Sequence, residues 1–149
     1  MPYPQKPPMS EDALDAFYRE HHIALLCSRN PDSSIHAVPV TYAYDDGEFL
    51  MGTQGESRKA QNVVRNGSVT LTIDDRVPPY KAVMIYGTAR VDRSSVEDTR
   101  TRILTRGMSE DQAREFVRLM GEVFDSLVIR VRPNHVVSVD YSQEGFLPD

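Results

Sequence analysis

The stretch EFLMGTQGESRKAQNVVRNGSVTLTI, residues 48–73, decides how this chain folds. Glu48 to Thr53 reads as a strand leaving the Asp45-Asp46-Gly47 turn, an antiparallel hairpin signal. Val69-Thr70-Leu71-Thr72-Ile73 alternates as a half-buried strand does. Between them, Ser57 to Arg65 predicts a short helix, and Asn66-Gly67 predicts a left-handed stop. Ser57, Arg58 and Lys59 then fall in the first helical turn. Cations there oppose the helix macrodipole, whose positive end favours anions. Two cations, a hydroxyl and free backbone N–H groups meeting at a helix start make a phosphate cradle. The same residues also suit a solvated basic turn between two strands.

Upstream, Ser10 caps a predicted helix with Glu11 and Asp12 in its first turn and Leu14, Phe17 and Tyr18 on its apolar face. His21 and His22 end it, and adjacent histidines point to different faces, which is poor metal geometry. Two β-patterned runs follow, Ile23 to Arg29 and Ile35 to Tyr44, joined by the turn Asn30-Pro31-Asp32-Ser33. Downstream, Tyr80 to Asp92 predicts a long strand, with Gly87 marking a bulge or a close approach. Ser94 with Glu97 and Ser109 with Gln112 read as capping boxes of two helices. The second carries Phe116, Leu119, Met120 and Val123 at helical spacing, the pattern of a core face. Leu127 to Arg132 and His135 to Tyr141 predict a closing hairpin around Pro133-Asn134. About seven strands joined mostly by hairpins suggest a small antiparallel barrel with peripheral helices.

The 149 residues suit one domain over 10–149, preceded by a flexible arm over 1–9. A net charge of −5 argues against general nucleic-acid binding and makes Arg58-Lys59 stand out. The single cysteine, Cys27, sits in an apolar run and reads as an inert buried thiol. No apolar run approaches the roughly 20 residues of a membrane span, and the first residues lack a signal-peptide core, so a cytoplasmic protein is expected. There is no Gly-x-Gly-x-x-Gly, Walker loop, nucleophile elbow or metal-binding histidine pair, so no metal is expected. Asp45-Asp46 and Asp74-Asp75 are turn acids. Any chemistry would come from a bound cofactor.

Several strings in this order resemble the flavin-binding split barrels related to pyridoxamine 5'-phosphate oxidase. Glu56-Ser57-Arg58-Lys59 followed by Asn66 looks like that family's phosphate-binding segment, and Gly52-Thr53 ends the strand that reaches the ribityl chain. Val38-Pro39-Val40-Thr41-Tyr42 is similar to the strand that lines the flavin ring with backbone atoms. Lys81 to Ala89 resembles the family's long strand. Two departures speak against pyridoxine-phosphate oxidation itself. Ala82 stands where the oxidase has a glutamine, and no cationic residue follows Arg132. Pro78-Pro79-Tyr80-Lys81 and Arg130-Val131-Arg132-Pro133 look more like the branch that binds the deazaflavin coenzyme F420.

The resemblance implies a mainly β, homodimeric split barrel that binds FMN or, alternatively, F420, and exchanges hydride with a small-molecule acceptor. Arg58, Lys59 and Ser57 would hold the phosphate, Thr53 the ribityl or phosphate region, and Val38 to Tyr42 the ring edge. Asn62 either reaches the phosphate or is a solvated helix residue. Tyr80 and Lys81 either cross a dimer interface to the ring or are plain strand-edge residues. An uncovered face rich in Val38, Val40, Val83 and Ile85 is expected to pair the two chains. The competing readings are a non-catalytic, stress-type flavin-binding protein and a haem-binding split barrel using His36 or His135. No nucleic acid or membrane partner is expected.

Overall fold

The computed structural model describes residues 8–142. Its elements are α1 (Glu11–Glu20), β1 (Ile23–Arg29), β2 (Ile35–Thr41), β3 (Ala43–Asp45), β4 (Glu48–Gln54), α2 (Arg58–Arg65), β5 (Ser68–Asp74), β6 (Lys81–Asp92), α3 (Val96–Leu104), α4 (Glu110–Val123) and β7 (Ser126–Asp140). The seven strands form one antiparallel sheet in the order β2-β1-β5-β6-β7-β4-β3. The fold is mainly β, a split barrel with four helices. Among the described residues no helix is long and apolar enough to cross a membrane.

A single residue closes the barrel. β2 and β3 lie at opposite edges of the sheet, yet only Tyr42 separates them in the chain. Two edges tethered by one residue stay within about 8 Å, so the sheet must curl. The predicted single strand from Ile35 to Tyr44 is therefore two strands bent at Tyr42. The fully buried Tyr42 ring packs against Phe49, and its hydroxyl donates to the Tyr18 carbonyl at 2.7 Å. Its N–H donates to the His22 carbonyl at 2.9 Å. Both donors of this buried residue thus have a partner.

The larger apolar cluster of the interior includes Phe17, Leu26, Phe49, Met51, Leu71, Ile85 and Ile129, and a smaller one joins Ala43, Leu50 and Val128 to Ile103 of α3. Val40, Val83 and Ile85 belong to the larger cluster and Val38 packs against it, so these four do not form the uncovered face expected above. Strand pairing shows which residues do. Pro39, Leu25, Thr72, Met84 and Val137 are successive partners across five strands, one register step from the buried set. Ala37, Cys27, Thr70, Tyr86 and His135 form the next row. Side chains alternate between faces, so a one-residue error of phase inverts the assignment.

Other expectations change for local reasons. Met9 is buried and its N–H donates to Ser138 Oγ at 2.8 Å, so it belongs to the domain and not to an arm; residues 1–7 lie outside the described residues. Asn66 is extended (φ −148°) instead of left-handed. Gly67 serves a close approach, since a Cβ there would lie 2.8 Å from the Ala89 carbonyl oxygen. Ser94 caps no helix: its hydroxyl and N–H bond Asp92, and α3 starts from Ser95 without a side-chain cap. The Ser109–Gln112 capping box forms.

The closing hairpin does not form. β7 runs unbroken through Pro133-Asn134, and the extra residue is taken up as a bulge at Tyr86/Gly87. A Cβ on Gly87 would sit 2.8 Å from the Arg132 carbonyl oxygen, so glycine is what allows the strands to close there. The predicted core face of α4 is rotated. Ala113 and Val117 are buried, whereas Phe116 is 43% and Val123 70% exposed. α4 packs mainly on α3, and a single helix neighbour covers a narrower stripe than a sheet does.

Candidate functional site

β4 delivers the chain to α2 through the turn Gln54-Gly55-Glu56, and Ser57 caps α2 instead of standing inside it. The Ser57 hydroxyl oxygen accepts from the Ala60 N–H at 3.2 Å and from the Thr53 hydroxyl at 2.9 Å. Both of its acceptor sites are then filled from within the chain, and only its O–H remains to act outward as a donor. The N–H groups of Arg58 and Lys59 open the helix and have no intrahelical acceptor. No acidic residue stands in this first turn.

The two cations are not neutralised. Arg58 is exposed and makes no ion pair among the described residues; its field helps to hold the Asp32 carboxyl below its usual range, after the Ser34 hydrogen bonds. Lys59 is half-buried with no carboxylate partner among the described residues, and burial pulls its ammonium below the ordinary lysine range. A desolvated cation at the positive end of a helix is costly unless an anion joins it. One helix start thus carries a hydroxyl, two backbone N–H groups, a guanidinium and an ammonium on consecutive residues, with no acidic residue in its first turn. That is the chemistry of a phosphate or carboxylate receptor.

A family model for pyridoxamine 5'-phosphate oxidase matches residues 10–140. The chain belongs to the pyridoxamine 5'-phosphate oxidase family. The F420H(2)-dependent biliverdin reductase of Mycobacterium tuberculosis (strain CDC 1551 / Oshkosh) is 33% identical over 102 residues, 66% of this chain and 72% of that protein. Among solved structures, a conserved hypothetical protein of Mycobacterium tuberculosis superposes with a TM-score of 0.81 at 22% identity, covering 95% of this chain and 90% of its own. An F420 reductase superposes with a TM-score of 0.65 at 16% identity, covering 82% and 94%. These two structures show the shared fold.

On this family frame the remaining sequence-predicted site residues separate. Thr53 is buried and spends its proton on Ser57, so it positions the cap. Gly52 faces the side chain of Arg100 on α3, a residue that sequence reasoning passed over. β2 pairs only with β1, so the backbone of Val38, Pro39, Val40 and Thr41 keeps one edge unpaired in the sheet. Tyr42 does not share that freedom, because its N–H and carbonyl bond His22 and Arg106.

Asn62 is neither solvated nor free. It is fully buried, with Nδ2 donating to Ser28 Oγ and Asn30 Oδ1 and with Oδ1 accepting from Arg65. Its role is to pin α2 to the β1–β2 hairpin. Lys81 opens β6 and Tyr80 precedes it, whereas the end of β4 before Ser57 lies level with Asp92 at the other end of that strand. Eleven residues of strand span roughly 35 Å, so within one chain neither can reach the cradle. His36 faces the interior side with Ser28, and His135 stacks on Tyr86 on the opposite side, so the two cannot share one ligand within a chain. Among the described residues no group of three or more His, Cys, Asp and Glu is placed to hold a metal ion.

Proposed function

We propose that this protein is an oxidoreductase that binds a phosphate-bearing flavin-type cofactor, the deazaflavin F420 ahead of FMN, and works as a homodimer on a small-molecule acceptor. The donor-only cradle of Ser57, Arg58 and Lys59 carries this reading, because it fits a phosphate on a ribityl chain and leaves its cations unpaired otherwise. The 33% identity to an F420H(2)-dependent biliverdin reductase favours the deazaflavin. When bound, the cofactor supplies the hydride chemistry. This chain's residues bind and orient it: the cradle fixes the phosphate, and the free backbone edge of β2 offers donors and acceptors to the ring. No acid or base is evident, so catalysis rests on positioning and exclusion of water. The open sheet row of Leu25, Pro39, Met84 and Val137 is the surface on which a second chain would sit, and pairing there would bring Tyr80 and Lys81 of one chain toward the other's ring.

The test is a titration of Arg58→Met/Lys59→Gln with F420, FMN and their dephosphorylated forms. Charge-assisted hydrogen bonds contribute about 1.5–3 kcal/mol each, so affinity for the phosphorylated forms should fall at least about tenfold. The dephosphorylated forms should bind the parent weakly and lose almost nothing more. Equal losses for both kinds of ligand would overturn the reading.

A further inference from the structure

Arg100 is 7% exposed and has no carboxylate partner among the described residues. Buried guanidinium groups ordinarily sit in ion pairs, because an uncompensated charge in a low-dielectric interior is costly. Here Nη1 donates to Ser126 Oγ at 2.6 Å, and the rest of the side chain lies over the backbone of Gly52. A Cβ at position 52 would stand 2.7 Å from Arg100 Nε and 3.0 Å from its Cγ. Only a glycine lets the arginine lie flat against β4.

The placement is specific. Gly52 and Thr53 are consecutive, so they face opposite sides of β4. Thr53 points to the interior side and bonds the Ser57 cap, while Gly52 faces Arg100. Ser126, the partner of Arg100, is also the strand partner of Gln54, the last residue before the cradle turn. The next residue, Gly55, donates its N–H to the Asp125 carbonyl at 2.8 Å, and the Asp125 carboxylate is paired with Arg93. Of the two arginines at this strand end, Arg93 is neutralised and Arg100 is not.

We propose that Arg100 is a positioning residue for the anion cradle: it clamps the end of β4 from behind and adds an uncompensated positive charge one strand away from the bound phosphate. This rests on the reading of Ser57, Arg58 and Lys59 as a phosphate site. It deepens that reading by assigning part of the phosphate selectivity to a residue that never touches the ligand.

The experiment compares the parent, Arg100→Met, Arg100→Lys and Gly52→Ala, each titrated with FMN against riboflavin, and F420 against its dephosphorylated form. The measured quantity is the ratio of phosphorylated to dephosphorylated affinity. One buried charge acting across a strand at an effective dielectric near 20 should change that ratio by about tenfold. Arg100→Met is expected to lower it, Arg100→Lys to retain most of it, and Gly52→Ala to lower it by displacing the guanidinium. Should Arg100→Met not fold, Gly52→Ala is read in its place. Unchanged ratios in folded Arg100→Met or Gly52→Ala overturn the proposal, as does a loss of affinity shared equally by both ligand forms, which marks a purely structural role. The parent and the Arg58→Met/Lys59→Gln variant serve as the control. A parent with no phosphate preference refutes the cradle itself, whereas a preference that survives only the Arg100 changes refutes this inference alone.

Discussion

Replacing Asn62 by Ala separates two roles that its position beside the cradle confuses. The side chain is 0% exposed and makes three hydrogen bonds, at 3.1 Å to Ser28, 3.0 Å to Asn30 and 2.7 Å from Arg65. Each is worth about 1 kcal/mol net, and Ser28, itself buried, loses a partner. The better helix propensity of alanine returns about half a kcal/mol. The expected loss is therefore about 3 kcal/mol, or roughly 6–12 °C in Tm for a domain of this size. Urea unfolding followed by circular dichroism gives the first figure and a thermal scan the second. The Ser57 cap and the two cations are untouched, so phosphate selectivity of cofactor binding should change by less than about threefold. A stable Asn62→Ala protein that has lost its preference for the phosphorylated cofactor would refute this assignment and restore Asn62 as a phosphate ligand.

Three further outcomes are expected. Met84→Glu, in the centre of the open apolar row, should yield monomers by sedimentation velocity where the parent sediments as a dimer burying above roughly 1,000 Å²; a parent that stays monomeric at micromolar concentration contradicts the homodimer. Gly87→Ala should destabilise by about 1–3 kcal/mol in chemical unfolding, because its Cβ would meet the Arg132 carbonyl at 2.8 Å and the Val131 side chain at 2.7 Å. The Asp92 carboxyl is held down at about 2 by the Ser94 hydroxyl and N–H and then by Arg130. A lowered folded-state value means that its stabilisation is complete above about pH 4 and is lost as pH falls through about 2. The Tm gap between parent and Asp92→Asn should follow that course.

Local chemistry set much of this protein without help from the rest of the chain. The bounds of β1 follow from its apolar run and the Asn30-Pro31 turn after it, those of α1 and α4 from Ser10 and from the Ser109–Gln112 box, and α2 from a serine cap ahead of two misplaced cations. These depend on neighbours within a few residues, and so does the donor-only character of the helix start. What needed the tertiary structure depends on partners far along the chain. Pro133-Asn134 reads as a turn until Gly87, 46 residues earlier than Pro133, is found opposite it and absorbs the bulge. The phase of the sheet is not legible in the sequence because Val38, Val83 and Ile85 and their outward neighbours Pro39, Met84 and Tyr86 are nearly equally apolar, so burial and not pattern separates the faces. Asn62 and Arg100 give no local signal, since their partners, Ser28 and Asn30 for one and Gly52 and Ser126 for the other, lie 26 to 48 residues away. The barrel itself closes because Tyr42 joins opposite edges of one sheet, and which edges those are is a property of strand order, which no short stretch of residues encodes.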